Sequence, residues 1–298
     1  SILGFIVFRF VFNRDTQRDM GQPHTRSRYY HLYLNGVYWG LYQTEERGES
    51  HWAKSYTGSD AENWDTIKTS RDGNSSYVTA ATDGTFDAFW ELWDITVNQG
   101  YSGSFADNYW RVQGMNPDGT PNPDYPNYVN VTNLIDYMLI AQFVVDPDGP
   151  ASVFIGAPNN MYALRDRTGA SGGFIWLRHD SEHSLGAQGL NSSYGYRANV
   201  FDWGTGRDNS VYRQKKNFNP AILNDRLMQH PVYLKLFADR VQRHLFGNGA
   251  LSIASAQERV RSRMAEIDDA IVAESARWGQ GYTRSTWLSA CNDVLAFI

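Results

Sequence analysis

The sequence has little cysteine, no excess of basic charge and no long uncharged apolar run. Cys291 is the only cysteine among 298 residues, which excludes an intrachain disulfide and a cysteine-based metal knuckle. A net charge of -5 at pH 7 gives no basic field and argues against nonspecific nucleic-acid binding. No run is long and uncharged enough to span a membrane, and residues 2–12 lack the features of a signal peptide.

Apolar and aromatic residues, by contrast, are plentiful. The chain is 42% hydrophobic and 20% charged, so it can bury a sizeable core and global disorder is not expected. Its length suits one large domain or two small ones. Ten tryptophans among 14% aromatic residues favour a large aromatic core. They leave a second interpretation open, in which the aromatic rings form the stacking surfaces of a carbohydrate-binding protein.

The clearest local pattern is a β-hairpin, and the end of the chain is helical. Two β-rich runs flank Asn35-Gly36, a dipeptide typical of a type I′ turn because both turn positions need a positive φ. Asn219-Pro220 predicts a helix start, and residues 255–258 match a capping box that would open a helix to Trp278. Strands first and helices later predict an α+β chain with a small β-rich lobe and a larger helical lobe.

Four residues that offer oxygen atoms stand at the ends of predicted elements. Asp148 follows a predicted helix, Asn160 precedes a predicted strand, and Asp180 and Glu182 follow a second strand. Side chains at such positions can be aimed by a rigid scaffold. Oxygen ligands suit Mg²⁺ or Mn²⁺, which often bind together with a nucleotide phosphate. The pattern therefore indicates a metal site.

The order of these residues agrees with phosphoryl transfer. That chemistry uses an aspartate to orient the acceptor hydroxyl, and an asparagine and an acidic residue to hold metals. Asp148, Asn160 and Asp180 follow this order. The twelve-residue separation of Asp148 from Asn160, with no G-x-G-x-x-G loop and no Val-Ala-Ile-Lys motif, excludes an ordinary protein kinase. Each residue also fits a purely structural role at a turn or strand end, so the residues alone leave the function undecided.

A different metal chemistry is suggested by the segment from His179 to His183. It matches H-x-x-E-H, the inverted zinc-protease motif, which needs both histidines on one face of a stable helix. A strand pattern ends at Arg178 and Gly186 follows, so only about one helical turn fits. A metal hydrolase is therefore the weaker alternative.

Three motifs in order carry a resemblance to a known family. They are the hairpin from Tyr33 to Glu45, the run Asn159-Asn160-Met161-Tyr162 before a strand, and His179-Asp180-Ser181-Glu182 after a strand. Together with the helical tail 219–278 they resemble the spore-coat protein H (CotH) kinase family over most of the chain. The resemblance implies an atypical kinase-like fold that phosphorylates proteins with ATP and a divalent metal.

The resemblance also implies roles for single residues. Asp148 matches the aspartate that orients a serine or threonine acceptor, Asn160 and Asp180 match groups that hold Mg²⁺ or Mn²⁺, and Glu182 stands at a second acidic position. His179 and Glu182 depart from the family pattern, which has tryptophan and aspartate there. Because glutamate reaches further than aspartate, the metal geometry of this branch is expected to differ.

The nucleotide side of the site is implied in the same way. Glu45 matches the acidic residue that fixes a phosphate-binding lysine, and Lys68 is similar to a family lysine near the nucleotide. Residues 1–80 correspond to the N-lobe and residues 81–298 to the C-lobe of a single domain.

The family's N-terminal strands, which carry a phosphate-binding cation and a loop over ATP, have no counterpart here. Three alternatives follow: a truncated chain, a compact variant, or a catalytically inactive binding module at a surface. The family context favours an exported or cell-surface protein, whereas the low cysteine content also fits the cytoplasm.

Overall fold

The computed structural model describes residues 3–71, 77–201, 210–279 and 283–298. The elements before residue 100 are α1 (Leu3–Asp19), β1 (Ser27–Leu34), β2 (Val37–Glu45), α2 (Ser50–Thr57), β3 (Trp64–Arg71), β4 (Tyr77–Asp83) and α3 (Asp87–Asp94). Those after it are α4 (Asn108–Arg111), α5 (Val131–Phe143), β5 (Met161–Asp166), β6 (Ile175–Arg178), α6 (Ser210–Arg213), α7 (Pro220–Leu227), α8 (Pro231–Leu245), α9 (Ile253–Trp278) and α10 (Arg284–Phe297). The predicted α+β class is confirmed.

The predicted hairpin is present as strands β1 and β2. Asn35 has a φ of 50° and Gly36 a φ of 79°, the left-handed pair that a type I′ turn requires. The strands pair antiparallel from Ser27 opposite Glu45 to Leu34 opposite Val37. A small apolar cluster joins this hairpin to α9 and α10; its members are Leu41, Ile267, Ile271, Trp287 and Cys291.

A second, four-stranded antiparallel sheet has the order β4-β3-β5-β6. Strand β3 pairs with β5 so that Lys68 lies opposite Tyr162. Strand β5 pairs with β6 so that Met161 lies opposite Arg178. One edge of the sheet therefore brings together the start of β5, the end of β6 and the middle of β3. The sheet also contains strands from both sides of residue 80, and the division into two lobes there stays a prediction.

The main core lies between the sheet and the helices that follow it. Helix α5 is buried over most of its length, as expected for a helix that is apolar on all sides. It packs against β6, α7, α8 and α1. The largest buried aromatic side chains of this core include Trp176, Tyr137, Tyr233, Phe89 and Phe174. This packing fixes α5, and with it the turn that follows its C-terminal end.

The helix starts were predicted well where a single side chain decides them. Asn130 caps α5 by accepting a hydrogen bond from the Asn133 N–H at 3.0 Å. Asn219 caps α7 through the N–H groups of Ala221 and Ile222. The capping box predicted at Ser255 is wrong: α9 begins at Ile253, and Ser252 is its N-cap. Among the described residues, no helix combines the length and apolar character needed to cross a membrane.

Candidate active site

The polar residues singled out in the sequence gather at the sheet edge where β3, β5 and β6 meet. Asn160 directly precedes β5 and His179 directly follows β6, so the pairing of Met161 with Arg178 brings them together. The turn after α5 adds Asp148 from the helical side. A cleft of about 380 Å³ opens there. Five of the six predicted site residues line it, namely Lys68, Asp148, Asn160, Asp180 and Glu182.

The Asp148 carboxylate is held by hydrogen bonds on both of its oxygens. The Ser152 hydroxyl donates to Oδ1 at 2.5 Å. The side-chain amides of Asn159 and Asn160 donate to Oδ2 at 3.0 and 3.2 Å. Such a carboxylate cannot rotate freely, and it is oriented before any ligand arrives. Ser152 and Asn159 had no role in the sequence-based prediction.

Asn160 ties the two halves of the site together. Besides its contact with the Asp148 carboxylate, its amide nitrogen donates to the backbone oxygens of Asp148 at 3.1 Å and Asp180 at 2.9 Å. A metal would bind this amide through its oxygen, which these contacts do not use. Asn160 and Asp180 both have left-handed backbones, with φ values of 48° and 46°. Asparagine and aspartate tolerate this conformation better than most residues.

A buried ion pair supports the turn that carries Asp148. The carboxylate of Asp146 and the guanidinium of Arg178 contact each other, and both side chains are fully buried. Burial raises the pKa of the Asp146 carboxyl, and its pairing with Arg178 opposes that rise. Arg178 also donates to Asn13 of α1 at 3.2 Å and to Ser181 at 3.0 Å. One side chain thus joins α1, the turn before Asp148 and the loop after β6.

Glu182 carries the most perturbed carboxyl of the cleft. Burial, together with the charge and hydrogen bonding of Asp180 and the charge of Asp148, raises its pKa to about 8. Among the described residues, its buried Oε2 atom has no hydrogen-bond partner. A carboxyl that is crowded by two others and has one buried oxygen turned away from donors suits a bound cation, which would replace the proton.

This pKa predicts a pH-dependent stability. The folded protein keeps a proton on Glu182 up to about pH 8, whereas the unfolded chain loses it near the ordinary value of 4.5. The metal-free protein should therefore lose up to about 1.4 kcal/mol of unfolding free energy per pH unit as the pH rises through this window. Glu182→Gln should make the unfolding free energy depend less on pH in this window. Denaturant unfolding in the presence of a chelator, between pH 5 and pH 8, measures the pH dependence of the unfolding free energy in both proteins. An equal pH dependence in the wild type and Glu182→Gln would contradict the raised pKa of Glu182.

The structure places a histidine beside the carboxylates of the cleft. Ligand atoms of Asp148, Glu182 and His183 all lie within 4.8 Å of one another. Two carboxylates and an imidazole are a donor set that binds divalent cations. The sequence-based set was Asn160, Asp180 and Glu182. Asn160 and Asp180 line the same cleft, and their role as ligands stays a prediction; His183 was singled out only for the hydrolase alternative.

Lys68 lies on the basic side of the cleft, and among the described residues its ion-pair partner is Glu49. Glu45 pairs with the buried Arg14 at 2.5 Å and lies 3.7 Å from His179 Nδ1. Glu49 Oε1 lies 3.5 Å from Lys68 Nζ and 3.4 Å from Arg47 Nε. Glu49 therefore holds the Lys68 ammonium group, and the role that the resemblance implies for Glu45 stays a prediction. Glu49 was not predicted as a site residue.

The H-x-x-E-H helix does not form. Residues 179–186 are turns and loop. His179 packs edge-on against the Tyr162 ring at 4.9 Å, and burial together with the nearby charge of Arg14 lowers its pKa. His183 instead lies beside Glu182. The two histidines have different neighbours, which removes the geometry that the metal-hydrolase alternative required.

The fold and the cleft together define an α+β protein with a lysine and several oxygen ligands facing one another, as in metal-dependent phosphotransferases. A family model described as CotH kinase protein matches residues 8–298, and the chain therefore belongs to the CotH kinase family. The predicted membership is confirmed over essentially the whole chain. No curated protein matches the sequence.

Proposed function

We propose that the protein is a metal-dependent kinase that transfers the γ-phosphoryl group of ATP to a serine or threonine of a protein. Family membership supports a kinase-like function. The observation that carries the proposal is the meeting of Asp148, Lys68 and the Asp180–Glu182 carboxylates in one cleft. An expected export to the cell surface stays a prediction, which cell fractionation would test.

Asp148 is suited to orient an acceptor hydroxyl. It already accepts a hydrogen bond from a hydroxyl, that of Ser152, at 2.5 Å. The amides of Asn159 and Asn160 hold its second oxygen in place. A carboxylate in this state can hold the hydroxyl of an incoming serine or threonine and accept its proton as the new bond forms.

The phosphates would lie between the carboxylates and Lys68. A divalent cation bound by Glu182 and its neighbours would neutralise phosphate charge. The buried Oε2 of Glu182, which has no partner in the described part of the chain, and the donor set around it fit such a cation. Lys68 Nζ lies 5.9 Å from the centre of the Tyr162 ring and is steered by Glu49, so its ammonium group is positioned to contact phosphate oxygens.

A protein acceptor is favoured by the loop that follows Asp148. Phe154 and Ile155 are 40% and 42% exposed. Their backbone N–H groups donate to the Ser152 hydroxyl oxygen, at 3.2 and 3.4 Å, so the loop is tied to the same serine that contacts Asp148. Exposed apolar side chains at this place can contact the residues around an acceptor serine. A small polar acceptor would gain little from them.

A labelling assay tests the proposal. Purified protein with ATP labelled at the γ-phosphate and Mn²⁺ or Mg²⁺ should transfer label to itself or to added proteins, on serine or threonine. Asp180→Asn should abolish the label. Binding of metal and ATP with no labelling of any protein would contradict the kinase and favour the inactive binding module. Glycan binding without nucleotide binding would favour the carbohydrate-binding alternative.

A further inference from the structure

We propose that His183 is a metal ligand and that it biases this site towards first-row transition-metal ions over Mg²⁺, an inference that rests on the proposed metal use of the cleft. The resemblance to the family implied oxygen ligands only. An imidazole in the ligand set changes which ions the site prefers. The observations that lead there are the position of the ring, the contacts that fix it, and its distance from the Glu182 carboxylate.

The imidazole lies where a cation held by the carboxylates would lie. His183 Nε2 is 3.6 Å from Glu182 Oε1, and Asp148 completes a group whose ligand atoms fall within 4.8 Å of one another. A cation at the centre of such a group is within reach of all three with small side-chain rotations. Asp148 already accepts three hydrogen bonds, so we assign it the outer side of the site, where it contacts the ion only through a metal-bound water and remains available to the acceptor hydroxyl.

Two neighbours fix the ring in a metal-binding orientation. Phe154 packs against it edge-on, with ring centres 5.2 Å apart and planes at 88°. The side-chain amide of Gln188 lies 2.7 Å from Nδ1. The amide nitrogen is the atom placed there; with the amide turned over by 180°, its oxygen accepts from Nδ1–H and the Nε2 lone pair faces Glu182. Metal-binding histidines usually have such a partner on their second nitrogen, because it fixes the tautomer.

The chemical identity of the ligands decides which divalent ion the site prefers. Mg²⁺ prefers oxygen ligands and near-ideal octahedral geometry, and it loses its water molecules reluctantly. Imidazole binds first-row transition metals more readily, with affinity rising from Mn²⁺ to Co²⁺. Replacing one oxygen ligand by His183 therefore weakens the site for Mg²⁺ relative to these ions. The opposing interpretation is that His183 only hydrogen-bonds Glu182 at a half-exposed position and contacts no metal.

Metal titrations without nucleotide separate the two interpretations. Calorimetry with Co²⁺, Mn²⁺ and Mg²⁺ alone would compare the wild type with His183→Asp, which restores an oxygen ligand. The wild type should bind Co²⁺ and Mn²⁺ at least about tenfold more tightly than Mg²⁺, and His183→Asp should reduce that ratio by about tenfold or more. Gln188→Leu should lower Co²⁺ affinity by about tenfold while the ring remains. His51→Asp, at an exposed position on α2, is the matched control and should change nothing.

Spectroscopy gives a direct readout of ligation. Bound Mn²⁺ in the wild type should show a nitrogen coupling in electron spin-echo measurements, and His183→Asp should lack it. Equal selectivity in the wild type and His183→Asp, or the absence of that coupling in the wild type, would overturn the proposal. These measurements do not depend on phosphoryl transfer. A metal site with the expected selectivity but no labelling of any protein would contradict only the proposed kinase activity. Labelling by a protein whose metal site is unselective would contradict only the role proposed for His183.

Discussion

Asp148→Asn is expected to lower phosphoryl transfer by about 10²- to 10⁴-fold while metal–ATP binding changes little. The substitution keeps the shape of the side chain and one oxygen, so the ties to Ser152 and Asn160 can largely re-form. It removes the negative charge that holds the acceptor hydroxyl and accepts its proton. The measurement is the initial rate of labelling at saturating ATP, with ATP affinity measured separately by calorimetry.

The matched control for this experiment is Asp239→Asn. Asp239 is an exposed residue of α8 that pairs with Lys235 far along the chain from the cleft residues, so the same chemical change should leave the rate unaltered. Full activity of Asp148→Asn would contradict the role given to Asp148. Loss of ATP binding in parallel with the rate would instead assign Asp148 to the metal–nucleotide site.

Arg178→Met is expected to lower the free energy of unfolding by about 3–5 kcal/mol. The substitution leaves the Asp146 carboxylate fully buried without its cation. It also removes hydrogen bonds to Asn13 and Ser181 and a contact over the Tyr137 ring at 5.0 Å. An unpaired buried charge costs far more than an exposed ion pair contributes. Denaturant unfolding monitored by tryptophan fluorescence measures the change.

A second substitution tests whether the unpaired charge of Asp146 causes the loss of stability. Arg178→Met combined with Asp146→Leu removes both charges, and the pair should recover much of the lost stability, because apolar groups of similar volume can replace a buried ion pair. Arg284→Met, which breaks an exposed pair with Asp268, should cost far less than Arg178→Met. A loss below about 1 kcal/mol for Arg178→Met would show that water reaches Asp146 and that the turn does not depend on the pair.

Local chemistry explains what could be predicted from the sequence. The turn at Asn35-Gly36 and the N-cap at Asn219 depend on one or two residues and their immediate neighbours, and both were predicted correctly. Helix α5 ends at Phe143, and Val145, two residues beyond it, has a φ of 48°. A β-branched residue rarely takes this conformation, and only the packing around Asp146 imposes it.

The contacts between distant segments could not be predicted. The pair of Asp146 with Arg178 joins residues 32 positions apart, and nothing in either neighbourhood identifies the partner. The pair of Lys68 with Glu49 likewise joins residues 19 positions apart. In the cleft, residue order indicated Asp148, Asn160, Asp180 and Glu182, whereas the geometry of one loop added His183. Sequence patterns predicted the chemistry of the site, and packing determined which side chains face one another.

The most direct test of the central claim is whether this cleft binds a metal–nucleotide complex through Asp180. Calorimetric titration with Mn²⁺ and ATP would compare the wild type with Asp180→Asn, a change that removes the charge while keeping a residue that tolerates the left-handed backbone. The account predicts metal-dependent ATP binding in the wild type and its loss, or a weakening of at least about tenfold, in the variant. ATP binding that is unchanged in Asp180→Asn, or absent from the wild type at every metal concentration, would contradict it.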